Sequence, residues 1–330
     1  MSTTRRDATR SASSSSFSVD KERPRIGIIG AGAMGTLFGF HLAASCDVTI
    51  LDDNVEIAKA VERDGLRVND EQARAVKVAR RARDLYDSQM LFLFVKAVDT
   101  LRALRAFAGE LDPAAPVISL QNGVGNEDAI KTALGGAVPV ILGITTESSQ
   151  TIGPGHVRSS QQGNTIIGTA TASSTTARTV TELLTHSGLR ASVVYDIRPH
   201  LWGKLVANAA VNALSALLDC DAGEIPRDPN AAHLAEALAE ETASVAAALK
   251  INLPFVYPWQ YVTEVVALGA DSKSSMAYDL LSGHPSEIDH INGAVVAFGR
   301  RTNTPTPYND AMVRLVKAKE ALLARSRLRL

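Results

Sequence analysis

The feature that most constrains this chain is a glycine-rich turn between an apolar run and a helical pattern. Residues 25–30 (RIGIIG) are typical of a buried strand, and residues 33–44 carry apolar side chains at helical spacing. The turn follows the pattern G-x-G-x-x-G, whose glycines permit a tight bend, close approach of a pyrophosphate and close helix packing. We therefore expect a dinucleotide at the start of this helix. The predicted cofactor-binding residues of the turn are Gly30, Ala31, Gly32, Ala33, Met34 and Gly35.

Two acids follow the second apolar run. Residues 48–51 (VTIL) predict a strand, and Asp52 and Asp53 come directly after it. An acid at this point accepts hydrogen bonds from the adenosine ribose, and it repels a 2′-phosphate. Two unit charges ~4 Å apart repel by about 4 kcal/mol at an effective dielectric of about 20. We therefore expect NAD(P)H as the cofactor, with NADH favoured over NADPH unless a nearby arginine compensates. One of the two acids could instead cap the helix predicted near residue 54.

Apolar strands and helical patterns alternate through the first part of the chain. Strands without polar interruption that alternate with helices indicate a parallel sheet covered on both faces. Two of the shorter stretches, 156–160 and 165–167, look like antiparallel additions. The fold class expected is α/β, with an N-terminal doubly wound sheet of the Rossmann type. The predicted elements after residue 51 are helix 55–61, strand 90–95, helix 98–107, strand 116–120, helix 127–134, strand 138–143, strands 156–160 and 165–167, helix 176–186 and strand 191–195.

Beyond Asp196 the pattern becomes helical, with proline-containing loops. We expect an all-α C-terminal domain over residues 197–330, after a dinucleotide-binding domain over residues 24–196. Residues 1–23 are polar and include the run SASSSSFS, a composition typical of a disordered tail. The predicted C-terminal helices are 201–218, 231–249, 255–268, 287–301 and 310–324.

Composition excludes several classes of function. The 330 residues carry 34 Lys plus Arg against 35 Asp plus Glu, so no overall charge favours binding to nucleic acid. No apolar run approaches the roughly 20 residues that span a bilayer, so no membrane partner is expected. The two cysteines, Cys46 and Cys220, have the spacing of neither a metal site nor a disulfide framework. We expect a cytoplasmic protein without a metal; its alanine-rich helices are compatible with a homodimer interface.

Three polar residues mark one face of the helix predicted at 201–218. Lys204, Asn208 and Asn212 stand at positions i, i+4 and i+8 and so lie on one stripe. Three polar groups flanked by apolar side chains are costly to bury unless something binds them. A partly desolvated lysine can donate a proton or polarise a carbonyl. A solvated helix face is the alternative interpretation.

The order of several motifs resembles the ketopantoate reductase (2-dehydropantoate 2-reductase) family. The resemblance runs from about residue 25 to the last helix. Its most specific part combines W-x-K-x-x-x-N-x-x-x-N with S-S-M and E-I-D-x-I-N-G. The motifs are GAGAMG from Gly30, FVKAVDT around Lys96, QNGVGNED from Gln121, PGHV from Pro154, LWGKLVANAAVNALSAL from Leu201, SSMAYD from Ser274 and SEIDHINGAVVAFGRRTNTPTPYN from Ser286.

The resemblance implies a role for each matching residue. It makes Lys204 the general acid and Glu287 the acid that engages a substrate hydroxyl. Ser275 matches the residue that holds the substrate carboxylate. The resemblance also implies that Asn208 and Asn212 bind the rest of the substrate, that Asn122 lies between nicotinamide ribose and substrate, and that Lys96 lies on the cofactor side. The implied reaction is NAD(P)H-dependent reduction of 2-dehydropantoate to (R)-pantoate, a step toward pantothenate.

Three positions depart from the family pattern and keep other functions open. Asp53 stands where NADPH-using members carry arginine, while Ala222 and Ser272 replace polar residues found in some members. A second hypothesis is an NADH-dependent D-2-hydroxy acid dehydrogenase of the same superfamily, acting on another branched or aromatic 2-oxo acid. A third, from a different class, is a dinucleotide-sensing regulator without turnover. Retention of both Lys204 and Glu287 speaks against the third, since a sensor needs neither.

Overall fold

The computed structural model describes residues 23–136, 138–168 and 174–327. The predicted disordered tail, residues 1–23, lies outside this range except for Arg23. Eight strands form the main sheet and three form a smaller one. The strands are β1 (Arg25–Ile29), β2 (Asp47–Leu51), β3 (Arg67–Val68), β4 (Lys77–Val78), β5 (Met90–Leu93), β6 (Val117–Ser119), β7 (Val140–Thr145), β8 (Ser149–Gly153), β9 (His156–Ser159), β10 (Thr165–Gly168) and β11 (Ala191–Val193).

The helices divide between the sheet and a separate helical part. The first five lie among the strands, and the remaining six form the C-terminal part. Short 3₁₀ turns at residues 97–99 and 105–107 flank α3. The helices are α1 (Ala33–Leu42), α2 (Val55–Asp64), α3 (Thr100–Leu104), α4 (Asn126–Leu134), α5 (Ser174–His186), α6 (Arg198–Leu218), α7 (Pro229–Ala248), α8 (Pro258–Ala267), α9 (Ser275–Ser282), α10 (Asn292–Thr302) and α11 (Pro307–Arg327).

The main sheet has the order β11-β10-β7-β6-β5-β1-β2-β4. All neighbours from β7 to β4 are parallel, while β10 runs antiparallel to β7. The strand order reverses between β1 and β5, which flank the point where doubly wound sheets bind ligands at their carboxyl edge. The predicted Rossmann-type class is therefore confirmed, and the glycine turn after β1 lies at this switch point.

Separate hydrophobic cores stabilise the two parts. One large cluster of buried side chains joins α6, α7 and the helices around them, and two others cover the faces of the sheet. Helix α6 is the centre of the first cluster. It is long and apolar enough to cross a membrane by length and composition, although no uninterrupted apolar run in the sequence marks it. The most apolar window of α6 is 72% buried among its neighbours, as in the core helix of a helical domain.

Several predicted elements differ from the structure. The helix predicted at 287–301 begins instead at Asn292, because residues 287–290 form a turn in which Ile291 N and His290 N both donate to the carbonyl of Glu287. Helix α9 was not predicted. The stretch predicted as strand 156–160 is antiparallel to β8, but in the small sheet β3-β9-β8 rather than as an addition to the main sheet.

Candidate active site

The glycine turn has the geometry that its sequence pattern predicts. Gly30 adopts φ +96°, and its amide donates to the carbonyl of Leu51 on β2. A Cβ on Gly35 would lie 1.8 Å from the Gly30 carbonyl oxygen, so no other residue allows α1 to approach the turn this closely. A Cβ on Gly32 would meet no described atom within 4 Å, so space is open above the turn. The open space and the first amides of α1, which have no intrahelical acceptor, fit a pyrophosphate.

Asp52 and Asp53 have different surroundings. The carboxylate of Asp52 accepts hydrogen bonds from Ala31 N (2.6 Å) and Asn54 N (2.8 Å), and so fixes the glycine turn to the end of β2. Asn54 itself caps α2 by accepting from the amides of residues 56 and 57. Asp53 is exposed, and its Oδ2 accepts from Arg102 Nη1 at 2.6 Å. Asp53 is therefore the more accessible of the two acids for a ribose, and it already forms an ion pair with Arg102.

Lys204 lies where the helical part meets the sheet. Its ammonium donates to the carbonyl oxygen of Thr145 at the end of β7 (2.9 Å), on the same carboxyl edge as the glycine turn. Burial lowers the pKa of Lys204 to about 8, and the negative charge of Glu287 acts against that shift. Desolvation disfavours the charged form of an amine, which makes it a better proton donor near neutral pH.

Glu287 bridges the two parts of the chain from its turn before α10. Its Oε1 accepts from the backbone amide of Ala97 and its Oε2 accepts from Asn122 Nδ2, both at 3.3 Å. Ala97 follows β5 and Asn122 follows β6, so both donors come from the carboxyl edge of the sheet. The structure thus brings together Lys204, Glu287 and Asn122, which the sequence spaces over about half of the chain.

The remaining predicted substrate residues lie on α6 and α9. Asn208 is half-buried and Asn212 is 9% exposed, on the stripe that begins at Lys204. Ser275 is exposed as the first residue of α9. The preceding residue, Ser274, is buried: its hydroxyl accepts from Ala277 N and donates to the Asn212 carbonyl oxygen, which joins α9 to α6.

Lys96 makes contacts that the sequence did not indicate. Its ammonium forms an ion pair with Asp279 Oδ1 (2.7 Å) and donates to the Pro285 carbonyl oxygen (2.8 Å). Asp279 lies on α9, so the lysine predicted on the cofactor side joins the end of β5 to the helical part. The Asp279 side chain is 20% exposed, and burial raises the pKa of this carboxyl while Lys96 opposes the shift.

Two asparagines in the motifs hold the helical part together. Asn292 is fully buried, and its amide donates to the Ala209 carbonyl oxygen on α6 (2.9 Å) and to Asn309 Oδ1 (3.0 Å). Asn309 donates in turn to Glu241 Oε2 on α7 (2.8 Å). The sequence predicts no role for these two residues. A polar residue among the apolar residues of α10 and α11 was the feature that could have indicated a buried hydrogen bond.

This arrangement defines a class of protein. A glycine turn that fits a dinucleotide lies at the switch point of a Rossmann-type sheet. At the same edge of the sheet, Lys204 of α6 donates to the Thr145 carbonyl oxygen, and its lowered pKa suits proton donation. Together they define a nicotinamide-dependent oxidoreductase with a helical second part.

Comparison with known proteins identifies the family. Residues 26–172 match the model described as ketopantoate reductase PanE/ApbA, and residues 196–320 match the model of its C-terminal domain. The 2-dehydropantoate 2-reductase of Archaeoglobus fulgidus is 33% identical over 299 residues, which cover 90% of this chain and 98% of that protein. The chain therefore belongs to the ketopantoate reductase family, oxidoreductases that act on CH–OH groups and reduce a 2-oxo acid with NAD(P)H.

Solved structures agree with this assignment. A PanE/ApbA family ketopantoate reductase from Ralstonia eutropha JMP134 aligns with a TM-score of 0.83 and 30% identity, covering 91% of this chain and 99% of that one. A D-mandelate dehydrogenase, solved with NADH and anilino(oxo)acetate, aligns with a TM-score of 0.81 and 27% identity over the same shares. The fold is thus found in enzymes named for two different 2-oxo acid or 2-hydroxy acid substrates.

Proposed function

We propose that this chain reduces 2-dehydropantoate to (R)-pantoate, with Lys204 as the general acid. The observation that carries the proposal is the ammonium of Lys204, which is desolvated by burial, held by the Thr145 carbonyl at the edge of the sheet and close to the charge of Glu287. Relatives named 2-dehydropantoate 2-reductase that align over nearly their whole length support the choice of substrate. In the organism this reaction would serve pantothenate biosynthesis.

The proton is the part of the reaction that this chain supplies. A bound nicotinamide provides the hydride that reaches the keto carbon. Lys204 donates its proton to the carbonyl oxygen as negative charge develops there, and then regains a proton from water. The Thr145 carbonyl fixes the position of the ammonium, and the charge of Glu287 keeps it protonated near neutral pH.

Substrate binding is assigned to groups around this lysine. We place the substrate carboxylate at the Ser275 hydroxyl, at the N-terminus of α9, where backbone amides also favour an anion. Asn208 and Asn212 extend from Lys204 along α6 and would bind the remaining polar atoms. Glu287 would accept a hydrogen bond from the substrate hydroxyl, and the Asn122 amide, which it already holds, lies between substrate and ribose.

The cofactor would lie on the glycine turn with its adenosine toward β2. The backbone of residues 30–35 would hold the pyrophosphate, and Asp53 would accept from the ribose hydroxyls. Asp52 fixes the position of the glycine turn, because its two oxygens accept from the amides of Ala31 and Asn54. We therefore propose NADH as the better cofactor. Higher kcat/KM with NADPH would contradict the electrostatic argument at Asp53.

A second candidate function is reduction of another branched or aromatic 2-oxo acid. Two of the three departures from the family pattern, Ala222 and Ser272, are adjacent, because Ala222 N donates to the Ser272 carbonyl oxygen (2.9 Å). At this corner of the helical part, alanine thus replaces a polar residue found in some members, and serine replaces an asparagine. The aligned D-mandelate dehydrogenase with NADH belongs to such a class.

Steady-state kinetics separates these candidates. Purified protein is assayed with 2-dehydropantoate, phenylglyoxylate and 2-oxoisovalerate, each with NADH and with NADPH. The proposal expects the highest kcat/KM for 2-dehydropantoate. A higher value for phenylglyoxylate or 2-oxoisovalerate would assign the chain to the second class. Lack of turnover with all three would contradict both substrate candidates.

A further inference from the structure

Arg102 links the two strand ends that flank the glycine turn. Its Nη1 donates to Asp53 Oδ2 after β2 (2.6 Å), while its Nη2 and Nε donate to Asp99 Oδ1 after β5 (2.8 and 3.2 Å). Because β2 and β5 lie on either side of β1, the guanidinium joins the segments that follow these two strands, where the adenosine of a bound dinucleotide would lie. The pairing joins residues 49 positions apart, so helix geometry alone does not explain it.

The effect of the Asp53 charge on a bound cofactor therefore depends on its ion pair with Arg102. Each oxygen of Asp52 already accepts from a backbone amide, whereas Asp53 is exposed, so Asp53 is the carboxylate more available to repel a 2′-phosphate. Arg102 places a permanent positive charge in contact with that carboxylate. The repulsion between Asp53 and a phosphate is then partly offset by attraction between Arg102 and the same phosphate.

The geometry also allows Arg102 to change partners. The side chains of Arg102 and Asp53 are 65% and 74% exposed, and ion pairs at such positions are weak and easily exchanged. A guanidinium binds phosphate oxygens in a bidentate fashion. Asp99, 36% exposed and one helical turn before Arg102, can hold the guanidinium in place when Asp53 is released.

We propose that Arg102 is a specificity-determining residue that gives this chain access to NADPH despite Asp53. With NADH bound, Arg102 remains paired with Asp53, which accepts from the ribose hydroxyls. With NADPH, Arg102 turns from Asp53 to the 2′-phosphate while Asp99 retains it. The inference rests on the proposed use of a nicotinamide dinucleotide and concerns its adenosine end, which does not depend on the 2-oxo acid.

Binding measurements without substrate test this directly. NADH, NADPH, ADP-ribose and 2′-phospho-ADP-ribose are titrated calorimetrically into wild-type protein and into Arg102→Ala. We expect Arg102→Ala to weaken binding of the two 2′-phosphorylated ligands by about tenfold or more, the usual effect of losing a charge-assisted hydrogen bond. Binding of NADH and ADP-ribose should change by less than about threefold, because they do not carry the phosphate.

Two further variants control the interpretation. Arg105→Ala removes the same charge from an exposed position on the next turn and should leave the ratio of NADH to NADPH affinity unchanged. Asp53→Asn should shift that ratio toward NADPH, in the direction opposite to Arg102→Ala. Thermal melts check that each variant is folded, which is expected because all three side chains are exposed.

The outcomes separate this inference from the proposed reaction. Equal weakening of NADH and NADPH by Arg102→Ala, or no effect on either, would overturn the role of Arg102. Wild-type protein that bound neither dinucleotide would overturn both the inference and the proposed function. Selective loss of 2′-phosphorylated ligands would support Arg102 even if every 2-oxo acid tested proved to be a poor substrate.

Discussion

Replacing Lys204 by methionine removes the proposed proton donor and keeps a side chain of similar length. Because burial lowers the pKa of Lys204 to about 8, about nine molecules in ten carry the proton at pH 7. General acid catalysis contributes roughly 10²- to 10⁴-fold to a rate. We therefore expect Lys204→Met to lower kcat/KM for reduction by about 10²-fold or more. The affinity for NADH should change by less than about threefold, because the proposal assigns the ammonium to the substrate carbonyl and not to the cofactor.

The proposed role of Lys204 also predicts the direction in which kcat/KM changes with pH. In the proposed mechanism reduction needs the ammonium form of Lys204, so kcat/KM should be constant well below pH 8 and fall about tenfold per pH unit above it. Oxidation of the hydroxy acid needs the neutral amine, so its kcat/KM should rise through the same range. Lys204→Arg keeps the charge but has a pKa far above this range, and should remove the inflection.

The assay follows nicotinamide absorbance with a 2-oxo acid substrate across pH, and fluorescence titration measures NADH binding to the same preparations. Wild-type turnover in Lys204→Met would remove this residue from the mechanism. An unchanged profile in Lys204→Arg would show that the inflection belongs to another group.

Three further predictions concern the groups around this site. Gly32→Ala should keep its melting temperature but lose NADH affinity, because a Cβ there projects into open space above the turn; Gly35→Ala should lower the melting temperature as well, because its Cβ would overlap a carbonyl oxygen. Calorimetric titration and thermal melts check both, and equal behaviour of the two variants would contradict the geometry. Asn292→Ala should cost about 2–4 kcal/mol of unfolding free energy in urea titrations, because two buried hydrogen bonds are lost; kcat/KM of the folded enzyme should change little. Glu287→Gln should move the inflection of Lys204 below pH 8, since the carboxylate charge raises that pKa; an upward shift would contradict this.

Local patterns in the sequence predicted the elements that depend on neighbouring residues. The isoleucine-rich run before the glycine turn predicts β1, and three further short apolar runs predict β5, β6 and β7, because each run is by itself typical of a buried strand. The stripe of Lys204, Asn208 and Asn212 follows from helix geometry alone, and all three lie on α6 as expected.

Contacts between distant residues could not be predicted from local patterns. The pairs Lys96–Asp279 and Asp53–Arg102 join segments whose proximity depends on the packing of the whole chain. Helix α9 was missed because it is short and follows a polar loop. The sequence predicts a ribose-binding acid at Asp52 or Asp53 and leaves open that one of the two caps the helix near residue 54. It cannot show that Asp52 accepts from the amides of Ala31 and Asn54 while Asn54 caps the helix.

The acidity of Lys204 is a property of both parts of the chain together. Its helix belongs to the helical part, its carbonyl partner ends β7, and Glu287 is held by donors after β5 and β6. The shift in its pKa comes mainly from burial, which requires the two parts to remain in contact. The ion pair between Lys96 and Asp279 is one of the contacts that keep them there.

Asp279→Asn should therefore change the pKa of Lys204, although no hydrogen bond or ion pair joins the two side chains in the part of the chain that the structure describes. Weakening the contact between the two parts admits water to the ammonium, and the pKa should rise from about 8 toward its ordinary value of 10.5. The inflection in reductive kcat/KM would move to higher pH, opposite in sign to the shift expected for Glu287→Gln. Asp289→Asn is the matched control, because Asp289 pairs with Lys317 within the helical part and both side chains are largely exposed. If Asp279→Asn left the inflection unchanged while raising KM for the 2-oxo acid, the ion pair would contribute to substrate binding and not to the acidity of Lys204.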